Sequence, residues 1–275
     1  MPMCLFLALA LPGAAPASAP IPLRAMTYNI HHGAGVDKKV DINRIGLVIR
    51  EQDCDVVCLQ EVDRNMPRSE SLDMPALLAE ITGMTATFAP SLKVEGGEYG
   101  NCTLTRWPVD SYRNYELPFA PGKEPRVCLS VTFRIEGRPI TVLNTHFGLT
   151  ASERNEQAAE ILLFECEDAP MILAGDLNEM PPEPAVQSLL TRFKNATVAD
   201  APEKTYSFSA NKPDRQIDYV LVSDEVDVLS SRVISTPVTA VASDHLPWVV
   251  DLRIKPVPPA VNADVDKDVV EKDEK

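Results

Sequence analysis

The sequence has few positively charged residues for a protein that binds a polyanion such as nucleic acid. It has 26 Lys and Arg residues against 40 Asp and Glu residues, which gives a formal net charge of −14 at pH 7. Contacts from Lys and Arg dominate affinity for nucleic-acid phosphates, so this balance argues against nucleic-acid binding. A local basic groove could still bind nucleic acid, because distant charges are screened by salt. The same excess of carboxylates suits divalent cations.

Paired cysteines are missing as well. The chain has six cysteines but no Cys-x-x-Cys motif, and setting aside Cys4 near the N-terminus leaves an odd number. This usage argues against both a zinc knuckle and a disulfide framework. We expect most of the remaining cysteines to be buried small hydrophobic residues. They are Cys54, Cys58, Cys102, Cys128 and Cys166.

The apolar run near the N-terminus is too short to cross a bilayer as a helix. It covers residues 3–11, and small residues with Ala-x-Ala steps follow between Ala15 and Ala19. This pattern resembles a secretory signal peptide, although no Lys or Arg precedes Arg24. We therefore expect residues 1–20 to be a signal peptide and the protein to be secreted or periplasmic. The alternatives are a loose N-terminal arm and a wrongly assigned start.

The rest of the chain has the composition of a folded domain. Apolar residues make up 45% of the sequence, so a sizeable core can form. The length is within the range of one large α/β domain, which we place at residues 21–255. Residues 256–275 lack aromatic residues and are rich in charge, so we predict a disordered acidic tail there.

Hydrophobic periodicity predicts many strands and a few helices. A helix over residues 41–52 would carry Ile42, Ile45 and Ile49 on one stripe, with Asp41 as its N-cap. A capping box, Thr150-x-x-Glu153, predicts a helix to about residue 167. Two further helices are predicted at 75–82 and 184–193, and strands at 23–30, 55–62, 85–88, 101–106, 109–115, 126–135, 139–146, 170–175, 215–222, 226–237 and 248–254.

Four predicted strands end abruptly in polar residues that suit metal or phosphate binding. The endings are MTYN, VVCLQE, VLNTH and ILAGD. In open α/β sheets, ligands gather outside the carboxyl ends of strands. We therefore expect the four terminal side chains to share one site, namely Asn29, Glu61, His146 and Asp176.

The second half of the chain adds further carboxylates. Asp218 lies in RQIDYVLVS, and Asp244 precedes His245 in ASDHLPW. Two carboxylates about 4 Å apart repel each other by roughly 4 kcal/mol at an effective dielectric constant of 20, so a convergent group needs a cation. Hard oxygen donors with few histidines and no thiolate favour Mg²⁺ or Mn²⁺ over Zn²⁺.

The chain has only four histidines, and all of them lie in these candidate segments. His146 and His245 each sit beside a strand end or a carboxylate, which indicates a functional role. His31 and His32 lie in a predicted loop, where a structural role and a functional one are equally open.

Taken in order, the motifs resemble those of the endonuclease/exonuclease/phosphatase superfamily. The resemblance covers residues 24–253, and the family includes pancreatic DNase, apurinic endonucleases, sphingomyelinases and inositol-polyphosphate 5-phosphatases. It implies a DNase I-like four-layer α/β sandwich, in which two mixed β-sheets pack face to face with helices outside. The motifs are YNIHHG, LQEVD, GNCTLTRWPV, NTHFG, AGDLNEMP, IDYVLVS and SDHLP.

The resemblance also implies roles for the metal-binding and water-activating residues. Glu61 matches the family's metal-binding glutamate, Asp244 a carboxylate that completes or supports the metal site, and Asn29 the asparagine beside the metal. His245 matches the histidine that activates or orients the attacking water and contacts phosphate. Asp218 matches the carboxylate partner of that histidine, which would fix the imidazole tautomer and raise its basicity.

The remaining matches concern the substrate phosphate. Asp176 and Asn178 match the family's Gly-Asp-x-Asn pair, whose aspartate positions or activates a nucleophile or assists the leaving group, and whose asparagine donates to the phosphate. His146 matches a phosphate-contacting position that also serves as an acid. Arg126 resembles a recurrent arginine near the site, with a structural salt bridge as the alternative. Asn101 resembles an active-site neighbour in some members.

Together these matches predict a monomeric phosphodiesterase that depends on Mg²⁺ or Mn²⁺. We expect in-line attack of an activated water on a small or lipid-type headgroup ester. One alternative is a secreted nuclease of the same superfamily, and another is a catalytically silent binding module. An inositol-phosphatase specificity is disfavoured because Arg215, Gln216 and Ile217 stand where that subclass has its signature.

Overall fold

The computed structural model describes residues 18–94, 96–164, 169–197 and 205–257. The predicted signal peptide falls almost entirely on residues 1–17, and the predicted tail on residues from 258 onward. Both predictions therefore lie outside the described residues. Cys166 lies outside them too, whereas the four cysteines of the described body are buried as expected, at Cys54, Cys58, Cys102 and Cys128.

The described chain forms twelve strands in two six-stranded sheets. The strands are β1 (Ile21–Asn29), β2 (Val56–Arg64), β3 (Thr85–Val94), β4 (Gly97–Thr105), β5 (Val109–Leu117), β6 (Arg126–Ile135), β7 (Arg138–His146), β8 (Met171–Asp176), β9 (Lys194–Asn195), β10 (Asp218–Val222), β11 (Val226–Val233) and β12 (Trp248–Ile254). The first sheet has the order β11-β12-β1-β2-β4-β3, and the second has the order β5-β6-β7-β8-β10-β9.

Each sheet contains one parallel pair among antiparallel ones, so both sheets are mixed. In the first sheet β1 is parallel to β2, and in the second β7 is parallel to β8. Because parallel neighbours end at the same edge, each pair delivers two strand ends to one place. These are the strands whose polar endings the sequence singled out.

Helices cover the outer face of each sheet. On β1, Leu23 and Ala25 belong to the core between the sheets, whereas Met26 and Tyr28 pack under α1 and α2. α3 and α4 contribute to the core of the second sheet. The helices are α1 (Ile42–Glu51), α2 (Met74–Thr82), α3 (Ala151–Leu162), α4 (Pro184–Leu189) and α5 (Thr239–Ala242), with 3₁₀ turns at His31–Gly33 and Pro67–Ser69. The predicted fold class, a four-layer sandwich of two mixed sheets, is confirmed.

The predicted helix starts are confirmed to within one residue, but the predicted ends of α3 and α4 are wrong, since α4 ends at Leu189 rather than residue 193. Asp41 caps α1 by accepting from the Arg44 backbone N–H at 2.9 Å, and the capping box at the start of α3 is present. α3 ends at Leu162 rather than near residue 167. The chain turns there because Phe164 packs into the core, where its ring stacks on Tyr115 with centroids 3.9 Å apart.

Candidate active site

The polar strand endings meet where the two parallel pairs terminate. Asn29, the last residue of β1, pairs with Gln60 inside β2, and because β2 continues past Glu61 to Arg64 the predicted strand end at Glu61 is wrong. On the second sheet His146 pairs with Asp176, which is also paired with Asp218 at the start of the antiparallel β10. The two sheets therefore each contribute part of one polar site, as the sequence led us to expect.

Close approach of β7 and β8 depends on a glycine. A Cβ at Gly175 would lie 1.8 Å from the carbonyl oxygen of Thr145. No side chain can be accommodated at that distance, so only glycine allows this spacing. The spacing sets Asp176 beside His146, with 3.6 Å between Oδ2 and Nε2.

Asp176 is the centre of the buried part of the site. Its Oδ2 accepts a hydrogen bond from Asn29 Nδ2 at 3.0 Å and lies 3.5 Å from Nε2 of His245. Its Oδ1 accepts from the backbone N–H of Asn178 at 2.9 Å. Burial raises the pKa of Asp176 to about 7, although the neighbouring His245 opposes that shift.

His245 and Asp218 form the predicted imidazole–carboxylate pair. The His245 Nδ1 lies 2.9 Å from Asp218 Oδ2, and both side chains are buried. Burial lowers the pKa of His245, but Asp218 and Asp176 outweigh that effect and raise it to about 10. The imidazole is therefore protonated at neutral pH. We call Asp176, Asp218 and His245 the Asp176 cluster.

His146 has the opposite protonation state. Burial and the nearby Arg126 guanidinium hold its pKa well below the ordinary value. Arg126 Nη1 lies 3.1 Å from His146 Nδ1, and because a guanidinium only donates, Nδ1 must accept. Nε2 lies 3.1 Å from Asn178 Nδ2, which also donates to the Phe147 carbonyl at 3.0 Å, so donors face both ring nitrogens. Arg126 also pairs with Glu124 at 2.7 Å, so the salt bridge considered as its alternative role exists beside the contact to His146.

Glu61 lies at an irregularity in β2. The pairing of β2 with β4 shifts register between Leu59 and Val62, and Glu61 has a left-handed φ of 56°. Its Oε1 accepts from Asn29 Nδ2 at 3.0 Å, and its Oε2 lies 3.9 Å from His32 Nδ1. Candidate ligand atoms of His31, His32 and Glu61 all lie within 4.8 Å of one another. We call these three residues the Glu61 cluster.

Asp244 and Asn29 connect to the Glu61 cluster in different ways. Asp244 Oδ1 lies 3.9 Å from His31 Nδ1. Asn29 donates to both Glu61 and Asp176 and accepts from the backbone N–H of His31 at 3.0 Å, so its amide links the two clusters. The predicted metal ligands Asn29, Glu61 and Asp244 thus lie in one region, and their role as ligands stays a prediction.

Asn101 has a different environment. Its Nδ2 donates to the backbone carbonyl of Val127 at 3.1 Å and lies 3.4 Å from that of Asn144, so it links the two sheets. Asn144 is part of the same link, because its amide donates to the Leu59 and Cys102 carbonyls on the first sheet and accepts from Gln60 Nε2 at 2.8 Å. Substrate binding by Asn101 stays a prediction, but these contacts give it a structural role.

Sequence reasoning missed two serines that support the site. Ser207 Oγ donates to Asp218 Oδ2, the oxygen that pairs with His245. Ser243 Oγ donates to the Asn29 backbone carbonyl at 2.8 Å and so fixes the end of β1. Ser243 could have been found from its place beside Asp244, whereas the segment around Ser207 carries no pattern that predicts a partner.

Comparisons with known proteins agree with this geometry. A family model described as "Endonuclease/Exonuclease/phosphatase family" matches residues 26–245. The uncharacterized protein YbhP of Escherichia coli strain K12 is 26% identical over 172 residues, which cover 57% of this chain and 66% of YbhP. The match therefore spans just under two thirds of that relative.

Solved structures show the same architecture. The crystal structure of an endonuclease/exonuclease/phosphatase from Beutenbergia cavernae is 31% identical with a TM-score of 0.71, covering 85% of this chain and 72% of that one. The human Nocturnin catalytic domain, solved with a bound sulfate anion, shares the fold at 22% identity with a TM-score of 0.69, covering 86% of this chain and 97% of that one.

Proposed function

The chain belongs to the endonuclease/exonuclease/phosphatase family, and on that premise we propose that it is a divalent-metal-dependent phosphodiesterase acting on a small or lipid-type headgroup ester. One observation carries the proposal: the buried Asp176 cluster lies next to a carboxylate, Glu61, that shares the donor Asn29 with it. A hydrolytic phosphoesterase needs a proton acceptor and a cation site side by side.

Two carboxylates support Mg²⁺ or Mn²⁺ as the proposed cation. Glu61 and Asp244 are carboxylates, and in the described ranges neither forms an ion pair with a Lys or Arg. Their oxygens are therefore available to a hard cation. When bound, the cation supplies positive charge to a phosphoryl oxygen in the transition state.

The Asp176 cluster is suited to take the proton of the attacking water. His245 is protonated, so it cannot be the base, but its charge helps to keep Asp176 ionised. Asp176 then accepts the water proton as the water oxygen bonds to phosphorus and the ester oxygen leaves in line. Asp218 holds His245 in place.

The phosphoryl oxygens have donors on the other side of Asp176. Asn178 Nδ2 donates to the Phe147 carbonyl at 3.0 Å and lies 3.1 Å from Nε2 of His146, and the Arg126 guanidinium lies 3.1 Å from Nδ1 of the same ring. Donors fixed in this way need no reorganisation as negative charge develops, which favours the transition state.

Surface charge supports a small substrate over duplex DNA. Three arginines that could have formed a basic patch are each paired with carboxylates: Arg64 with Glu98, Arg68 with Asp63, and Arg106 with Asp53 and Asp55. Paired arginines have less charge to offer phosphates. A secreted nuclease of this family remains the alternative that the assay must test.

The sequence pattern of residues 1–20 supports the further proposal that the protein is secreted or periplasmic, and we propose that it acts as a monomer. In the ranges the structure describes, no helix is both long and apolar enough to cross a membrane.

Hydrolysis of bis-p-nitrophenyl phosphate, with and without Mg²⁺ or Mn²⁺, tests the proposal directly. EDTA should abolish turnover, and excess Mg²⁺ or Mn²⁺ should restore it. Full activity in EDTA would exclude the metal, and no turnover under any condition would favour a silent binding module. Parallel assays of sphingomyelin hydrolysis and plasmid nicking test the substrate class: efficient nicking without turnover of small diesters would identify a nuclease.

A further inference from the structure

We infer that His31 and His32 are ligands of the same cation that Glu61 binds, so that the site takes a transition-metal dication of the Mn²⁺, Fe²⁺, Co²⁺ or Zn²⁺ class in preference to Mg²⁺. The inference rests on the proposed function and narrows its metal. It starts from the Glu61 cluster, in which one candidate ligand atom of each of the three residues lies within 4.8 Å of the other two.

A hydrogen bond to the backbone of Ala34 fixes the tautomer of His31. Its Nδ1 lies 3.0 Å from the carbonyl oxygen of Ala34, which can only accept. Nδ1 must therefore carry the proton, and Nε2 must carry the lone pair. Histidine ligands of metals characteristically donate their other ring N–H to a backbone carbonyl in this way, which fixes the tautomer and the ring orientation.

The ring of His32 leaves a nitrogen without a partner. Its Nδ1 is buried and makes no hydrogen bond, and it lies 3.9 Å from Glu61 Oε2, which is beyond hydrogen-bond distance. A buried polar atom without a partner costs free energy that a ligand would recover. The His32 side chain is 19% exposed and that of Glu61 is 21% exposed, so both side chains are partly open to solvent.

The backbone holds the two histidines in a conformation that such residues rarely adopt. His31 and His32 have φ of 45° and 43°, in the left-handed region. Two consecutive non-glycine residues there are strained, and strain of this kind concentrates at functional sites. The conformation is maintained by hydrogen bonds from Gly33 N–H to Ile30 O at 2.9 Å and from Ala34 N–H to His31 O at 2.8 Å.

Ligand chemistry then selects the metal. Mg²⁺ prefers oxygen donors and gives up its waters reluctantly. Imidazole suits later first-row dications, whose affinity for nitrogen-containing sites rises from Mn²⁺ towards Cu²⁺. Two imidazoles beside one carboxylate therefore shift the preference away from Mg²⁺.

The test compares binding of Co²⁺ and Mg²⁺ to the full chain by equilibrium dialysis with metal analysis, together with the visible absorption of bound Co²⁺. The variant is the double substitution His31→Asn, His32→Asn. Asparagine tolerates a left-handed φ and replaces a nitrogen donor with an oxygen donor. Ser71→Asn is the matched control, because Ser71 is an exposed residue that also has a left-handed φ, of 55°.

The wild-type chain should bind Co²⁺ more tightly than Mg²⁺. The double variant should lose at least about 10-fold in Co²⁺ affinity, the lower end of what even outer-shell changes cost. Its Mg²⁺ affinity should not fall, and the absorption of its bound Co²⁺ should change. Ser71→Asn should behave as wild type. If circular dichroism shows the double variant to be unfolded, each single variant replaces it, with a smaller loss of Co²⁺ affinity expected.

Unchanged Co²⁺ affinity in a folded double variant would overturn the inference, as would equal affinity of the wild type for the two ions. Weaker inhibition by inorganic phosphate with unchanged Co²⁺ affinity would also overturn it and would assign the imidazoles to the substrate. Metal binding needs no turnover, so a chain that binds Co²⁺ through the histidines but hydrolyses no diester refutes only the proposed function. Hydrolysis in Mg²⁺ with an unaltered metal preference in the variant refutes only the inference.

Discussion

The Asp176 cluster and the Glu61 cluster are neighbours with opposite designs. In the first, the side chains are 1–5% exposed and two carboxylates flank one protonated imidazole. In the second, the side chains are 19–37% exposed, and each imidazole Nδ1 lies 3.9 Å from its nearest carboxylate oxygen. Buried charges are stable only when they are paired and hydrogen-bonded, so the first cluster is complete within the protein. The second keeps part of each side chain exposed to solvent.

Under the proposed function, this contrast gives different tasks to the two clusters. Proton transfer benefits from fixed partners and perturbed pKa values, which the Asp176 cluster has. Cation binding needs access and donors not already committed to arginine, which the Glu61 cluster has. Substitutions on the two sides should therefore fail in different ways.

The largest effect should come from the buried side. Asp176→Asn and His245→Ala should each lower kcat by at least about 10²-fold, as expected for groups that act in the transition state. His245→Ala removes the positive charge that keeps Asp176 ionised. Steady-state kinetics at saturating metal measures the loss, and thermal unfolding checks the fold. Asp224→Asn, at an exposed aspartate, is the control. A variant that keeps full kcat would remove its residue from the mechanism.

A smaller and different effect should come from the exposed side. Glu61→Gln should raise the metal concentration needed for half-maximal activity by about 10- to 100-fold, a range typical of weakened metal sites. Activity at saturating metal should be retained far better than in Asp176→Asn. A metal titration of turnover measures both quantities, with Glu136→Gln, in an exposed hairpin turn, as control. An unchanged metal requirement would place the cation elsewhere and break the contrast.

The smallest effect should come from Ser207, which donates a hydrogen bond to Asp218 in the buried Asp176 cluster. Ser207→Ala removes one hydroxyl donor to Asp218, and the loss of such a bond costs about 1 kcal/mol. We expect urea denaturation to show that loss of stability and kinetics to show a decrease in kcat of roughly 5-fold at most. Ser209→Ala is the control, because that hydroxyl donates to Asn211 Oδ1 in an exposed position. If the two variants were equally active and stable, Ser207 would have no part in positioning Asp218.

The sequence predicted more of the candidate site than of the fold. It expected Asn29, Glu61, His146 and Asp176 to converge because each closes an apolar strand, and the parallel pairs β1–β2 and β7–β8 bring them together. The two-sheet architecture came from a family resemblance, since periodicity along one strand does not reveal which sheet that strand joins.

Other features depend on contacts that local sequence does not encode. The protonation states of His146 and His245 follow from Arg126 and from two carboxylates that the fold brings close. The end of α3 depends on the packing of Phe164 against Tyr115, a residue far away in the sequence. Burial and long-range pairing, which decide these features, exist only after the chain has folded.

The link through Asn144 has a consequence for how activity appears during folding. Its amide joins β7 to β2 and β4 beneath the site, and the side chains that we propose to be catalytic are divided between the two sheets. Neither sheet alone holds all of these side chains, so we expect activity only after the two sheets have packed together. Contacts between residues so distant in sequence form late and slowly. In a refolding experiment the recovery of far-ultraviolet circular dichroism should therefore precede the recovery of turnover, which makes enzymatic activity a reporter of the last step of assembly.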